Sequence, residues 1–122
     1  SHFFSVPGHL TAQEGLNLLR QRSPEESLYY IYCTNEEQKL VGVVSLRILV
    51  MAQPETPIAS LAKKDVVSVK TDTTNEMVAQ LVSHYDFIAL PVVNAKDELV
   101  GIVTVDDVLD LIQEQAASQL YA

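Results

Sequence analysis

The chain repeats itself, and that repeat constrains the fold more than any single motif does. Leu40-Val-Gly-Val-Val-Ser-Leu-Arg-Ile-Leu49 lies over Leu99-Val-Gly-Ile-Val-Thr-Val-Asp-Asp-Val108 at an offset of 59. The same offset of 59 sets Tyr29-Tyr-Ile-Tyr-Cys-Thr-Asn35 on Ile88-Ala-Leu-Pro-Val-Val-Asn94, with both asparagines in register. Further back, Thr11 to Leu19 matches Thr74 to Val82 at an offset of 63, so the first copy carries four extra residues around Ser23-Pro-Glu-Glu26, a turn-rich connection. A unit of about 60 residues buries too little surface to be more than marginally stable alone. Two copies, 1–61 and 62–122, are therefore expected to pack sheet against sheet with a cleft between them.

Each copy reads β-α-β-β-α. In the second, Val66 to Val69 is a short β-branched strand, and Thr73-Thr-Asn-Glu76 has the S/T-x-x-E spacing of a capping box. Met77, Val78, Leu81, Val82 and Tyr85 follow at helical spacing. The apolar run Phe87 to Val93 predicts a buried strand, Asn94-Ala-Lys-Asp97 a hairpin turn, and Leu99 to Val103 the return strand. Thr104 then caps a helix with Val108, Leu109, Leu111, Ile112 and Ala116 as its apolar stripe. In the first copy Phe3 to Val6 is the short strand, and Thr11-Ala-Gln-Glu14 starts a helix that runs to about Arg22. Strands at Leu28 to Thr34 and Leu40 to Val44 follow, and a shorter helix from Leu46 meets Pro54. The expected class is α/β (α+β), with two copies related by a pseudo-twofold axis.

Charge narrows the partners. Eight Lys and Arg face sixteen Asp and Glu, a net charge of −8, and ten of the acids lie in residues 62–122. So few cations cannot neutralise a row of phosphates, which argues against nucleic acid. One cysteine, Cys33, excludes an intramolecular disulfide and a Cys-rich zinc site. It sits mid-strand among apolar neighbours, where a thiol is expected to be buried and inert. No Ser-His-Asp, Cys-His or paired-His spacing supports catalysis, and His84 at a helix end suits the helix dipole as a C-terminal charge. No apolar stretch approaches the roughly 20 residues that span a bilayer. The expectation is a non-enzymatic, water-soluble piece.

Leu-Pro-Val-Val-Asn (90–94) followed by Leu-Val-Gly-Ile-Val-Thr-Val-Asp-Asp-Val (99–108), in a tandem β-α-β-β-α chain, resembles a CBS-domain pair, or Bateman module. Tyr-Tyr-Ile-Tyr (29–32), Gly-Val-Val-Ser-Leu-Arg (42–47), His-Tyr-Asp-Phe (84–87) and Val-Asp-Asp-Val-Leu-Asp (105–110) are similar to the cytosolic CBS region of MgtE-type magnesium transporters. The resemblance implies a regulatory domain on the cytoplasmic face of the membrane that forms a homodimer. It also implies partners in the transmembrane and N-terminal cytosolic parts of the same transporter, whose pore closes when intracellular Mg²⁺ is high.

The final helix spaces Asp106, Asp107, Asp110 and Glu114 so that Asp107 and Glu114 fall within about 20° of each other and Asp110 beside both. Mg²⁺ prefers oxygen ligands and keeps several waters, so an open row of carboxylates suits weak, water-rich sites. The same row is also what a solvated helix face looks like, and aspartates in a first turn favour the helix dipole. The resemblance implies that Asp86, Asp107 and Asp110 help to hold Mg²⁺ against neighbouring parts of the transporter. This chain departs from the family by having Gln113, Gln115 and Ser118, and Thr74, where acids are common.

CBS pairs also take adenine nucleotides between the repeats, through a Ser or Thr followed three residues later by an Asp that receives the ribose hydroxyls. The second copy has Thr104 and Asp107, whereas the first has Ser45 and Ile48, so its ribose acceptor is missing. The resemblance sets Tyr30 and Phe87 at base-stacking positions and Arg47 towards phosphate. Each has a structural alternative, since Tyr30 and Phe87 suit core or rim packing and Thr-x-x-Asp is itself a helix cap. Three functions thus stay open: a Mg²⁺-sensing regulator, an adenine-nucleotide-sensing module, and a purely structural dimerisation module.

Overall fold

The computed structural model describes residues 3–22, 30–85, 87–110 and 113. Its elements run β1 (Phe4–Pro7), α1 (Ala12–Leu19), β2 (Tyr30–Thr34), β3 (Leu40–Ser45), α2 (Leu46–Met51), α3 (Ile58–Leu61), β4 (Val69–Lys70), α4 (Asn75–Tyr85), β5 (Ala89–Val93) and β6 (Leu99–Thr104). A last helix, α5, covers 105–110. The strands form two three-stranded sheets, β1-β2-β3 and β4-β5-β6, each with its first pair parallel and its second antiparallel.

The internal offset of the sequence recurs bond by bond. Tyr30 pairs with Ser45 and Cys33 with Gly42; 59 residues on, Ala89 pairs with Thr104 and Val92 with Gly101. Both hairpins bulge at the same step, Cys33/Thr34 and Val92/Val93. Their tips hold the only non-glycine residues with positive φ among those described, Gln38 at 66° and Asp97 at 63°. An asparagine side chain organises each tip. Asn35 Oδ1 accepts the amides of Glu37 and Lys39, and Asn94 Oδ1 those of Lys96 and Glu98. The two tips then clasp each other about the pseudo-twofold. Leu40 N donates to Asp97 O at 3.1 Å, Leu99 N donates to Gln38 O at 3.2 Å, and the equivalent residues Lys39 and Glu98 form a β-bridge.

Strand alternation sorts the core. Ile31 and Cys33 of β2 face the first core with Phe4, Val6, Val44, Leu49 and Ile58, while Leu90 of β5 faces a second core with Val69, Val78, Val82 and Val108. Tyr32, Ala89 and Val93 are buried yet belong to neither cluster, because they lie on the opposite faces of β2 and β5, where the two sheets meet.

Several local expectations are corrected. The first copy has its capping box, with Glu14 N donating to Thr11 Oγ1 at 3.2 Å and Thr11 N to Glu14 Oε1 at 3.0 Å. The second does not have the one read at Thr73. There Thr74 Oγ1 takes the Met77 amide, and Thr73 Oγ1 takes that of Lys70 in the preceding turn. Three residues beyond Thr74 stands a methionine, which cannot complete the box. Helix α1 stops at Leu19, before Arg22: the amides of Gln21 and Arg22 turn to Leu18 O and Leu19 O, and Arg22 reaches back to Phe3 O and over the Phe4 ring. The strand expected over Val66 to Val69 pairs only at Val69–Lys70. The residues before it are bonded to the first repeat instead, with Lys63 N donating to Val43 O at 2.9 Å and Val43 N to Lys63 O at 3.0 Å. Helix α3, not expected from the sequence, packs Ile58 into the first core, where the missing side chain of Gly15 leaves it room. The expected Ser23–Glu26 connection, Leu28, Leu111, Ile112 and Ala116 lie outside the described residues.

Candidate functional site: the cleft between the repeats and the acidic helix

Where the sheets meet they leave a cavity of about 240 Å³. Tyr30, Tyr32 and Val43 line it from the first repeat, and Phe87, Ala89, Leu90 and Pro91 from the second. The sequence thus brings Tyr30 and Phe87, separated by 57 positions, to one cavity. Tyr30 and Tyr32, two apart on β2, hold their rings 6.5 Å apart at 53°. Phe87 is 5.6 Å from Tyr85, whose ring meets His84 edge-on at 4.6 Å, so an aromatic row leads outward from the cleft. Burial pushes the Tyr32 phenol well above its ordinary range, with Tyr30 adding to the effect. On the other face of β2, burial pushes the Cys33 thiol up to about 11, as an inert core cysteine requires.

The remaining wall comes from residues that sequence reasoning did not single out. Lys63, Asp65, Val66 and Val67 line the cavity from the segment joining the repeats. A second cavity, about 250 Å³, lies on the other side of that segment, lined by Lys64, Val66 and Ser68 with Asn35, Lys39 and Asp97. Lys63, Asp65 and Val67 line the aromatic cavity, Lys64 and Ser68 the polar one, and Val66 both, around a bend at Lys64 and Asp65. The sequence carried no periodicity that pointed to this placement. A broader hollow of about 710 Å³ has its described lining on α4, between Met77 and Tyr85.

The other expected nucleotide-contacting residues are not among those lining the aromatic cavity. Ser45 Oγ caps α2 by accepting the Ile48 amide at 3.3 Å, and Arg47 is exposed. Thr104 and Asp107 form a reciprocal cap on α5: Thr104 N donates to Asp107 Oδ2 at 3.1 Å, and Asp107 N to Thr104 Oγ1 at 3.3 Å. Asp107 stands where Glu14 stands in the capping box of α1.

The acids Asp106, Asp107 and Asp110 are exposed on α5, around a buried Val108. Asp86 and Glu114 lie outside the described residues. Among the described residues no three His, Cys, Asp or Glu side chains converge to hold a metal ion. Separate exposed carboxylates of this kind are the donor type that a largely hydrated Mg²⁺ takes one or two at a time, not a closed cage. No described helix is long and apolar enough to cross a membrane.

Comparison with known proteins agrees with this architecture. The CBS-domain family model matches residues 58–114. The magnesium transporter MgtE of Thermus thermophilus is 45% identical over 120 residues, covering 98% of this chain and 27% of that protein. A crystal structure of the cytosolic domain of the Mg²⁺ channel MgtE in complex with ATP superposes with a TM-score of 0.85 at 48% identity, over 89% of this chain and 44% of the other. The CBS domains of a transcriptional regulator from Streptococcus pneumoniae give a TM-score of 0.73 at 30% identity, over 88% of this chain and 86% of the other. The chain spans about a quarter of the length of the curated transporters it matches, at 27%, 26% and 25%. Two β-α-β-β-α halves clasped about a pseudo-twofold, together with these likenesses, make the chain a member of the CBS-domain family: a CBS-domain pair similar along nearly its whole length to the cytosolic domain of MgtE.

Proposed function

We propose that this CBS pair is the cytosolic regulatory domain of a magnesium transporter, where it senses intracellular Mg²⁺ and gates transport without catalysing a reaction. The observation that carries the reading is the 45% identity to an MgtE transporter over 98% of the chain. The acids exposed on α5, with Asp86 and Glu114, supply the sensing surface. Without metal, this surface and a facing acidic surface of the transporter or of a second copy repel each other. Hydrated Mg²⁺ between them offsets the repulsion and selects the compact, closed state. Shifting a conformation from 1:99 to 99:1 takes about 5.5 kcal/mol of differential binding. One site at 100 times its Kd contributes only about 2.7 kcal/mol. Several weak carboxylate sites acting together meet the requirement, which is what an open acidic face provides.

The test is protease sensitivity of the transporter containing this chain, from trace to tens of millimolar Mg²⁺ at constant ionic strength. Mg²⁺-dependent protection is expected, and Asp107→Asn with Asp110→Asn should remove it. Equal protection in that variant would refute the role of these acids.

A second reading is favoured by one observation, the cavity shared by Tyr30 and Phe87. Aromatic walls on a cleft of this size suit a purine base, and a similar MgtE domain was crystallised in complex with ATP. An adenine nucleotide in the cleft would stiffen the clasped repeats and set the angle at which α5 is presented. In this reading the nucleotide modulates the magnesium switch.

A further inference from the structure

We propose that the outer edge of β6, at Gly101 and Ile102, is a strand-pairing surface for the polypeptide that leads into Ser1, so that the chain arriving at the first repeat is stitched to the second. The inference rests on the regulatory reading above in one respect, that a further cytosolic part of the transporter precedes this domain, and it adds an attachment surface for that part.

The two repeats treat equivalent edges differently. On β3, Val43 exchanges both backbone hydrogen bonds with Lys63, at 2.9 Å and 3.0 Å. Beside it Ala62 comes so near Gly42 that a Cβ there would stand 2.8 Å from the Ala62 Cβ. Since Val43 bonds outward, it is the non-hydrogen-bonded partner of Tyr32. Ile102 holds the same register opposite Pro91, which has no N–H to donate, so the Ile102 amide and carbonyl also point away from β5. Among the described residues nothing pairs with them. Exposure follows the same difference: Gly42 and Val44 are buried, whereas Gly101 and Val103 are only half-buried.

Gly101 is a second mark of an absent neighbour. No described glycine has positive φ, so backbone conformation does not call for glycine at 101. Glycine inside a strand marks a place where another backbone approaches closely, and at Gly42 that backbone is seen. The register then names the occupant. Val6 pairs with Cys33 and Val69 with Val92, equivalent residues of the two hairpins, which sets the segments entering β1 and β4 at an offset of 63. By that offset the counterpart of Lys63 is the residue immediately ahead of Ser1, and it falls opposite Ile102 as Lys63 falls opposite Val43. The second core needs no plug from the same segment, because Val78 supplies its own side chain where Gly15 leaves room for Ile58. β6 runs directly into the Thr104 cap of α5, so a pull on the entering chain acts on the strand that ends at the acidic helix.

The experiment is hydrogen exchange of the β6 amides in metal-free buffer, read by mass spectrometry in the transporter containing this chain and in the 122-residue chain alone. The Ile102 amide is expected to exchange at least about tenfold more slowly in the transporter, and Gly101→Ala to remove most of that difference. In the chain alone Gly101→Ala should leave Tm unchanged or raised, whereas Gly42→Ala lowers it. Equal exchange of Ile102 in the two proteins would overturn the pairing, as would full protection in the Gly101→Ala transporter. Protection of Ile102 in the chain alone that grows with protein concentration would place a second copy on the edge, and would overturn it too. The readout needs no metal, so a transporter without Mg²⁺-dependent protease protection would refute the sensing role and leave this pairing standing.

Discussion

Gly42→Ala adds one methyl group where the structure has no room for it. A Cβ at position 42 would sit 2.8 Å from Ala62 Cβ and 3.3 Å from Lys63 O, against an ordinary carbon–carbon contact of roughly 3.5–4.0 Å. No glycine among the described residues has positive φ, so the backbone at 42 accepts alanine, and the loss of unfolded-state freedom even favours it by about 0.4–1 kcal/mol. Overpacking costs about 1–3 kcal/mol. If Ala62 yields, the segment lifts from β3 and the two Lys63–Val43 hydrogen bonds stretch, at about 0.5–1.5 kcal/mol each. The net is a destabilisation of about 1–4 kcal/mol. At about 2.1 cal/mol/K per residue of unfolding entropy, 122 residues convert each kcal/mol into roughly 4 °C, so Tm should fall by about 4–15 °C in a calorimetric melt. Ala62→Gly removes the facing methyl, and Gly42→Ala with Ala62→Gly should recover at least about 1 kcal/mol beyond additivity. Under the nucleotide reading proposed above, ATP affinity should follow the same cycle, since the segment lines the aromatic cavity. Additive single effects, or an unchanged melt for Gly42→Ala, would refute the steric argument.

Asp107 is both a charge on the proposed metal surface and one half of a helix cap, and two substitutions separate these roles. In metal-free buffer Asp107→Ala should cost about 1 kcal/mol, roughly 4 °C in the melt, while Asp107→Asn costs less because its carbonyl oxygen still takes the Thr104 amide; equal losses would contradict the cap. The Cys33 thiol, raised by burial from an ordinary 9.0 to about 11, and the Tyr32 phenol, raised above 10.0, both keep their protons longer folded than unfolded. The Cys33 contribution is therefore complete below about pH 9 and is lost as pH rises through about 11, while that of Tyr32 begins to fall only above about pH 10, so Tm should fall from about pH 9 upward, and Cys33→Ala should flatten the lower part of that fall. A Tm that holds or rises there would contradict the burial argument.

The parts of the fold legible in the sequence are those whose signal is local or repeated. The hairpins are legible because an asparagine at 35 or 94 can bind two amides of its own tip, and because the offset of 59 aligns every strand pair behind it. Tyr30 and Phe87 came together because the duplication implies a cleft and aromatic residues flank it. The joining segment was not legible. Val66 to Val69 has strand composition, but a strand needs a partner, and the partner available to Lys63 is Val43 in the other repeat, across the small gap that Gly42 leaves. Such a non-local contact has no periodicity to announce it, so Lys63 and Asp65 read as ordinary surface charges. Thr73 failed for a different reason. Two adjacent threonines both offer a cap, and only the end of the preceding turn at Lys70 decides which one meets the helix.

The duplication also separates what holds the fold from what distinguishes the halves. Across the offset of 59, Leu49 and Val108 are both buried, at 0% and 2% exposure, because each seals its helix onto its own sheet. Their exposed neighbours differ in kind: Arg47, Ile48 and Met51 on α2 stand where Asp106, Asp107 and Asp110 stand on α5. One helix therefore presents an arginine and two apolar side chains where its counterpart presents three carboxylates, from the same framework. Packing cannot account for that difference, since none of the six side chains is buried. Exposed apolar side chains suit contact with protein, whereas acidic ones suit cations. In the regulatory role proposed above, a domain attached on one side while its other side answers to an ion would need that asymmetry, and it arises at exposed positions without disturbing the clasp at the axis.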